Sequence, residues 1–78
     1  MADSDYTLTF ELRERHNVLD IHCNDEGLEN LIDALTLLVE GKHDHLHLMT
    51  PSWGGVDLSE NKQSETSTLL NQVNIYKW

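Results

Sequence analysis

The sequence predicts an α+β fold, a two-layer sandwich of order β-β-α-β-β in which a four-stranded, mainly antiparallel sheet carries one helix on one face. Several segments alternate apolar and polar residues with the period of two that half-buried strands require. One central segment instead repeats its apolar residues with the period of a helix. The 78 residues suffice for one small domain, so we expect residues 1–78 to form a single unit.

The first two strands are predicted on either side of a short hairpin loop at residues 14–17. The first places apolar side chains on one side and Thr or charged residues on the other, and its residues are typical of strands. Its apolar positions are Tyr6, Leu8, Phe10 and Leu12. The second strand covers residues 18–23, and its apolar side consists of Leu19, Ile21 and Cys23. Residues 1–4 are polar, and we expect them to be frayed.

A helix is predicted from Asn24 to Gly41. Asn24 or Asp25 can cap its first turn, acidic residues fit the positive end of the helix dipole, and Gly41 suits the position after the last turn. The apolar stripe that should face the sheet is Leu28, Leu31, Ile32, Leu35, Leu38 and Val39. Gly27 is the only residue that weakens the prediction, because glycine is a poor helix former.

A second pattern runs along the same helix. At about 100° per residue, one flank collects acidic residues and no Lys or Arg. This acidic flank is Glu26, Glu29, Asp33, Thr36 and Glu40, with Leu37 beside it. Glu29 and Asp33 are like charges four residues apart, which costs an isolated helix about 0.2–0.5 kcal/mol. The flank is either a solvated face kept for solubility or a recognition surface on which Leu37 is a small apolar anchor.

The C-terminal half is predicted to supply two more strands. The first spans Asp44–Thr50 and is followed by a turn at Pro51–Gly55, where proline and two glycines favour a change of direction. Residues 56–67 are polar and predict a long loop that is either mobile or functional. The last strand covers Leu69–Trp78.

The alternation assigns each strand residue to one of two sheet faces. The face under the helix should carry Leu8, Phe10, Leu19, Ile21, Leu46, Leu48, Val73 and Ile75. The opposite face has no helix to cover it. On this open face we expect Thr7, Thr9, His22, His45, His47, Met49, Tyr76 and Trp78.

Charge and composition exclude several classes of protein. The chain has 5 Lys and Arg against 14 Asp and Glu, a net charge of −9, which repels nucleic acids and anionic membranes and attracts basic partners. The single cysteine, Cys23, cannot form an internal disulfide and favours a reducing compartment. Neither a signal peptide nor a membrane-spanning run is evident. We therefore expect a cytoplasmic protein.

The strongest hint of chemistry is a set of histidines. His45 and His47 point the same way on a strand, and His22 on a neighbouring strand could complete a metal site of three ligands. The set lacks a glutamate base at a fixed spacing, and histidines also suit an ordinary half-exposed sheet face. Cys23 is expected to be a buried small apolar residue. We predict no catalytic residues and no cofactor, although a small metal-binding protein or metal-dependent enzyme stays an alternative.

The aromatic residues suggest binding to another protein. Trp53 lies in the glycine-rich turn, and Trp78 and Tyr76 lie on the open face with Met49, a composition that interfaces favour. Two such faces could also stack in a homodimer, so a homodimeric structural domain is a further alternative.

Three stretches of the C-terminal half resemble the immunity protein 32 family of bacterial polymorphic toxin systems. They are HLHLMTPSWGG from His45 to Gly55, LSENKQ from Leu58 to Gln63, and VNIYKW from Val73 to Trp78. The resemblance covers about Asp44–Trp78, and the Met-Thr-Pro-x-Trp-Gly-Gly string is its most specific part. The N-terminal half is similar only in its β-β-α layout.

The resemblance implies a non-catalytic protein that binds and neutralises a cognate toxin of the same cell, usually in the cytoplasm. The positions that match the family are His45, His47, Trp53, Gly54, Gly55 and Tyr76, which could either contact toxin or hold the fold. Together with the helix flank and the open face, they give the expected contacts with a basic toxin surface. These candidate contact residues are Glu26, Glu29, Asp33, Leu37, Glu40, His45, His47, Trp53, Tyr76 and Trp78.

Overall fold

The computed structural model describes residues 6–78 and has an α+β architecture. The strands of the described residues are β1 (Leu8–Arg13), β2 (Val18–Cys23), β3 (His45–Met49), β4 (Thr68–Leu69) and β5 (Gln72–Tyr76), and the helix α1 spans Asp25–Val39. Single turns of 3-10 helix occupy Glu14–His16 and Pro51–Trp53. The frayed end predicted at residues 1–4 lies outside the described residues.

The strands form two antiparallel sheets, so the predicted single four-stranded sheet is not confirmed. One sheet has the order β2-β1-β4, and the other pairs β3 with β5. The predicted last strand is divided at Leu70 and Asn71, and its two halves pair with different strands. At the division, the Leu70 N–H donates to the Phe10 carbonyl at 2.9 Å and the Thr50 N–H donates to the Asn71 carbonyl at 3.0 Å. This segment therefore joins the two sheets.

The helix begins and ends as its sequence predicts. The Asn24 side chain accepts a hydrogen bond from the Gly27 N–H at 2.8 Å, which caps the first turn. At the other end, Gly41 has a φ of +77°. The Gly41 N–H donates to Leu38 and the Lys42 N–H donates to Leu37, a Schellman arrangement that satisfies the last carbonyls.

Close packing against β1, and not helix propensity, explains why glycine occupies position 27. A Cβ atom at this position would lie 1.7 Å from the Thr7 carbonyl oxygen, so only glycine lets the first turn approach the start of β1 this closely. Asn24 secures the same junction, since its backbone N–H donates to the Thr7 carbonyl and its side chain accepts from the Thr7 N–H, both at 3.1 Å.

The core lies between α1 and the centre of the sheets. Leu8, Phe10 and Leu48 are buried, as predicted, and Leu58 joins them from the segment that was predicted to be a polar loop. The helix contributes buried Leu38 and packs Leu31 and Ala34 against this cluster.

Many apolar residues of α1 and β2 that the sequence predicts to be buried are exposed, so this prediction is wrong for them. The helix turns the line of Gly27, Leu31, Ala34 and Leu38 towards the core, so its neighbouring aliphatic residues face sideways. The predicted inward residues that are in fact exposed are Leu19, Ile21, Leu28, Ile32, Leu35 and Val39. Cys23 was also expected to be buried and is exposed.

The face away from the helix is partly covered, which is a second correction. Thr9 was expected to be open but has no exposed surface, and neither has Glu11 beside it on β1. The residues that cover this part of the sheet come from the predicted long loop. Along the loop, the Ser59 N–H donates to the Leu8 carbonyl and the Leu58 N–H donates to the Met49 carbonyl, so the loop crosses between β1 and β3.

The Glu11 carboxylate holds this loop in place. It accepts hydrogen bonds from the Gln63 N–H at 2.8 Å, the Ser64 N–H at 3.0 Å, the Ser67 hydroxyl at 2.8 Å and the Thr9 hydroxyl at 2.6 Å. Burial alone would raise the pKa of Glu11. The hydrogen bonds stabilise the charged form more, led by that from Gln63, and lower the pKa to about 2. A buried carboxylate thus replaces apolar packing on this side.

No helix among the described residues is long and apolar enough to cross a membrane.

Candidate protein-binding surfaces

The acidic flank of α1 is exposed as predicted from the helical spacing. Glu26, Glu29, Asp33 and Glu40 all lie on the surface, and residues 25–40 contain no Lys, Arg or His. Lys42, which follows the helix, forms an exposed ion pair with Glu40 at 3.4 Å. Exposed pairs of this kind are worth about 0–1 kcal/mol. The flank therefore keeps most of its negative charge free to attract a basic surface.

Leu37 lies beside this flank and is half-buried. It lines a cleft of about 370 Å³ between α1 and the start of the long loop, together with Asp33 of the acidic flank. Leu48 is part of the apolar lining, and Val56 and Asp57 form the opposite side. The cleft combines an apolar lining with two carboxylates, which fits the predicted role of Leu37 as an anchor point.

The histidines of β3 face away from the helix, as the alternation predicted. His45 and His47 are exposed with their ring centroids 4.9 Å apart, and Tyr76 of β5 stacks on His45 at 6.0 Å. His47 shares a 2.6 Å hydrogen bond with the Asn74 side chain. His45 is hydrogen-bonded to Asp44 at 2.7 Å, and this contact, with the attraction between the two charges, lowers the pKa of Asp44.

The three histidines of the alternative metal site are divided between the two sheets. His22 lies on β2 in one sheet, whereas His45 and His47 lie on β3 in the other. The nearest carboxylate to His22 is Glu11, at 3.9 Å from Nε2, and its oxygens already accept hydrogen bonds from the loop. Within residues 6–78, no group of three or more His, Cys, Asp or Glu side chains could hold a metal ion. The geometry does not support the alternative of a three-histidine site.

The turn after β3 is built by a short run of fixed contacts. The Thr50 carbonyl accepts from both the Trp53 N–H at 2.9 Å and the Gly55 N–H at 3.0 Å, and the Thr50 hydroxyl donates to the Asn71 side chain at 2.8 Å. Gly54 has a φ of +92°, and a Cβ on Gly55 would lie 2.5 Å from the Met49 carbonyl oxygen. These contacts fix the path of the backbone through the turn.

Trp53 lies in this turn with 57% of its surface exposed. Trp78, at the end of the chain, is fully exposed. Neither indole is needed to fill the core, so both are available to a partner.

The candidate contact residues therefore divide between two sides of the protein. The acidic flank and Leu37 lie on the helix, while His45, His47 and Tyr76 lie on the sheet face that points away from it. A single flat interface cannot include both groups. The alternation of β3 and β5 places His45, His47 and Tyr76 together, and only the packing of α1 separates them from the acidic flank.

A comparison with protein-family models gives a match to immunity protein 32 over residues 18–73, which is most of the chain. The chain belongs to the immunity protein 32 family. The resemblance inferred from the C-terminal motifs is confirmed, and the match also extends through α1 to the start of β2. No curated protein and no solved structure matches the chain.

Membership of the immunity protein 32 family has two consequences for the surfaces described above. A toxin is the general kind of partner that an immunity family implies, and such proteins generally act without catalysis. The matched region includes both the helix and the Pro51–Trp53 turn, while Tyr76 and Trp78 lie beyond it.

Proposed function

We propose that this protein neutralises a cognate bacterial toxin by binding it, without catalysis of its own. The family match over residues 18–73 carries this proposal. The geometry supports the binding part of the proposal, because the described residues offer exposed charged and aliphatic surfaces to a partner.

We further propose that the toxin presents a basic surface to the acidic flank of α1. A net charge of −9 and a helix without Lys or Arg provide long-range attraction, which raises association rates more than it raises affinity. The encounter takes place in the cytoplasm of the producing bacterium, and the single, exposed thiol of Cys23 is consistent with a reducing compartment.

The test first reads the genes beside this chain's own gene for a toxin domain, which becomes the candidate partner. That domain is expressed in a host cell with and without the immunity chain, and growth is followed. We expect the immunity chain to restore growth and to form a stable complex with the toxin domain in size-exclusion chromatography. A toxin that stays active and elutes separately would refute the proposal.

A further inference from the structure

An exposed apolar surface between α1 and β2 is not used by the fold. One wall is the sideways-facing flank of the helix, whose side chains have exposed fractions of 46% for Leu28, 53% for Ile32, 38% for Leu35 and 77% for Val39. The floor is β2, where Leu19 and Ile21 are 48% and 47% exposed. We call these residues the α1–β2 recess.

The positions of wall and floor follow from the register and the helical geometry. Ile21 is paired with Phe10, so it lies on the face of the sheet where Phe10 is buried beneath the helix. The opposite helix flank, with Leu37, lines the cleft towards Leu48 of β3. The flank that carries Ile32 and Val39 therefore faces the side of β2.

The apolar side chains of the recess are exposed in the isolated chain. β2 is an edge strand of its sheet, with β1 as its only neighbour among the described strands. Soluble monomers rarely expose continuous apolar surface of this kind unless it binds something. An apolar centre with a charged rim is also the usual composition of a protein interface.

The negative charge beside the recess indicates what kind of partner can bind there. On the helix, Ile32 and Val39 lie next to the acidic flank, since Glu29 is three residues before Ile32 and Thr36 is three residues before Val39. A second copy stacked symmetrically on this face would bring two acidic flanks together, each from a chain of net charge −9. A partner with aliphatic or aromatic side chains flanked by Lys or Arg meets both requirements.

We infer that the α1–β2 recess is the docking site for such an apolar and basic surface of the toxin. The inference rests on the proposed function and adds the location and chemistry of the contact. His45, His47 and Tyr76 lie in the β3-β5 sheet, on the face that points away from the helix. They are left outside the primary contact.

The chain offers a matched pair of variants for the test. Val39 in the recess is 77% exposed, and Asn61 is exposed in the long loop. Val39→Asp and Asn61→Asp add the same negative charge, which by itself does not weaken binding to a basic partner, so weaker binding of Val39→Asp reports the lost apolar contact. Ile32→Asp is a second variant within the recess. Circular dichroism and thermal unfolding establish that each variant is folded.

Binding of each variant to the toxin domain of the neighbouring gene is measured by calorimetry. We expect Ile32→Asp and Val39→Asp to weaken binding roughly tenfold or more, the size expected for central interface residues, and Asn61→Asp to change it by less than about twofold. Hydrogen exchange of the wild-type complex should show slower exchange in β2 and α1.

The outcomes separate the two proposals. If the wild-type chain does not bind the toxin domain, the proposed function fails and the docking site fails with it. If it binds with unchanged affinity after Ile32→Asp and Val39→Asp, or if protection appears only at β3 and β5, the docking site alone is refuted. Sedimentation of the isolated chain should give a monomer. A dimer that Val39→Asp dissociates would assign the recess to a second copy and overturn the inference.

Discussion

Glu11 and Gln63 are 52 residues apart in the sequence, yet the Gln63 backbone N–H donates a 2.8 Å hydrogen bond to the Glu11 carboxylate. The contact fixes a segment without regular secondary structure across one face of β1. Small domains have little apolar surface to bury, so a single buried polar contact of this kind can contribute a large share of their stability.

We expect Glu11→Gln to destabilise the protein by about 1–3 kcal/mol, because a neutral amide leaves buried donors such as the Gln63 and Ser64 N–H groups poorly satisfied. Urea unfolding at neutral pH measures the change. Glu65→Gln is the matched control, since Glu65 exposes its side chain in the same loop. Equal stability of the two variants would mean that Glu11 does not anchor the loop.

The stabilising effect of the Glu11 carboxylate should depend on pH. The pKa of Glu11 falls from 4.5 to about 2 on folding, so the folded protein binds fewer protons at this site than the unfolded chain in that range. The contribution of Glu11 is therefore complete above about pH 4.5 and is lost as the pH falls to about 2.

Unfolding free energies of the wild-type protein and Glu11→Gln, compared at successive pH values, isolate this group from the other carboxylates. The difference between the two proteins should shrink as the pH is lowered. A difference that stays constant from neutral pH to pH values near 2 would contradict a depressed pKa for Glu11.

We expect Gly27→Ala to destabilise the protein even though alanine is the better helix former. The change gains up to about 1 kcal/mol of helix propensity. It also places a Cβ 1.7 Å from the Thr7 carbonyl oxygen, and overpacking of this kind typically costs about 1–3 kcal/mol. Asn30→Ala, at an exposed position of the same helix, should be neutral or stabilising. Thermal unfolding compares the stability of both variants with that of the wild-type protein. A Gly27→Ala protein more stable than the wild type would contradict the close contact with Thr7.

Charge reversal on the acidic flank should slow association with the toxin domain. Glu29→Lys and Glu65→Lys change the net charge equally, and both residues are exposed. We expect only Glu29→Lys to lower the association rate strongly at low salt and to flatten its salt dependence, because the effect depends on which surface approaches the partner. Stopped-flow measurements at several salt concentrations compare the two. Equal association rates for both variants would mean that the acidic flank does not guide the approach of the toxin domain.

Local patterns in the chain predicted most of the elements and the family. Alternation located β1, β2, β3 and β5 but did not separate β4 from β5, helical spacing and end signals located α1 between Asn24 and Gly41, and the Met-Thr-Pro-x-Trp-Gly-Gly string indicated immunity protein 32. These features could be predicted because each depends on residues that are neighbours in the chain, where spacing alone decides which side chains share a face.

Which side chains are buried depends on contacts between segments that are distant in the chain. The line of Gly27 and Leu38 faces the core and leaves Ile32 exposed, and the loop around Gln63 covers Glu11. Helical periodicity does not distinguish these outcomes, because the angle at which a helix sits on a sheet depends on long-range packing. The open recess between α1 and β2, and with it the inferred toxin site, arises from that packing.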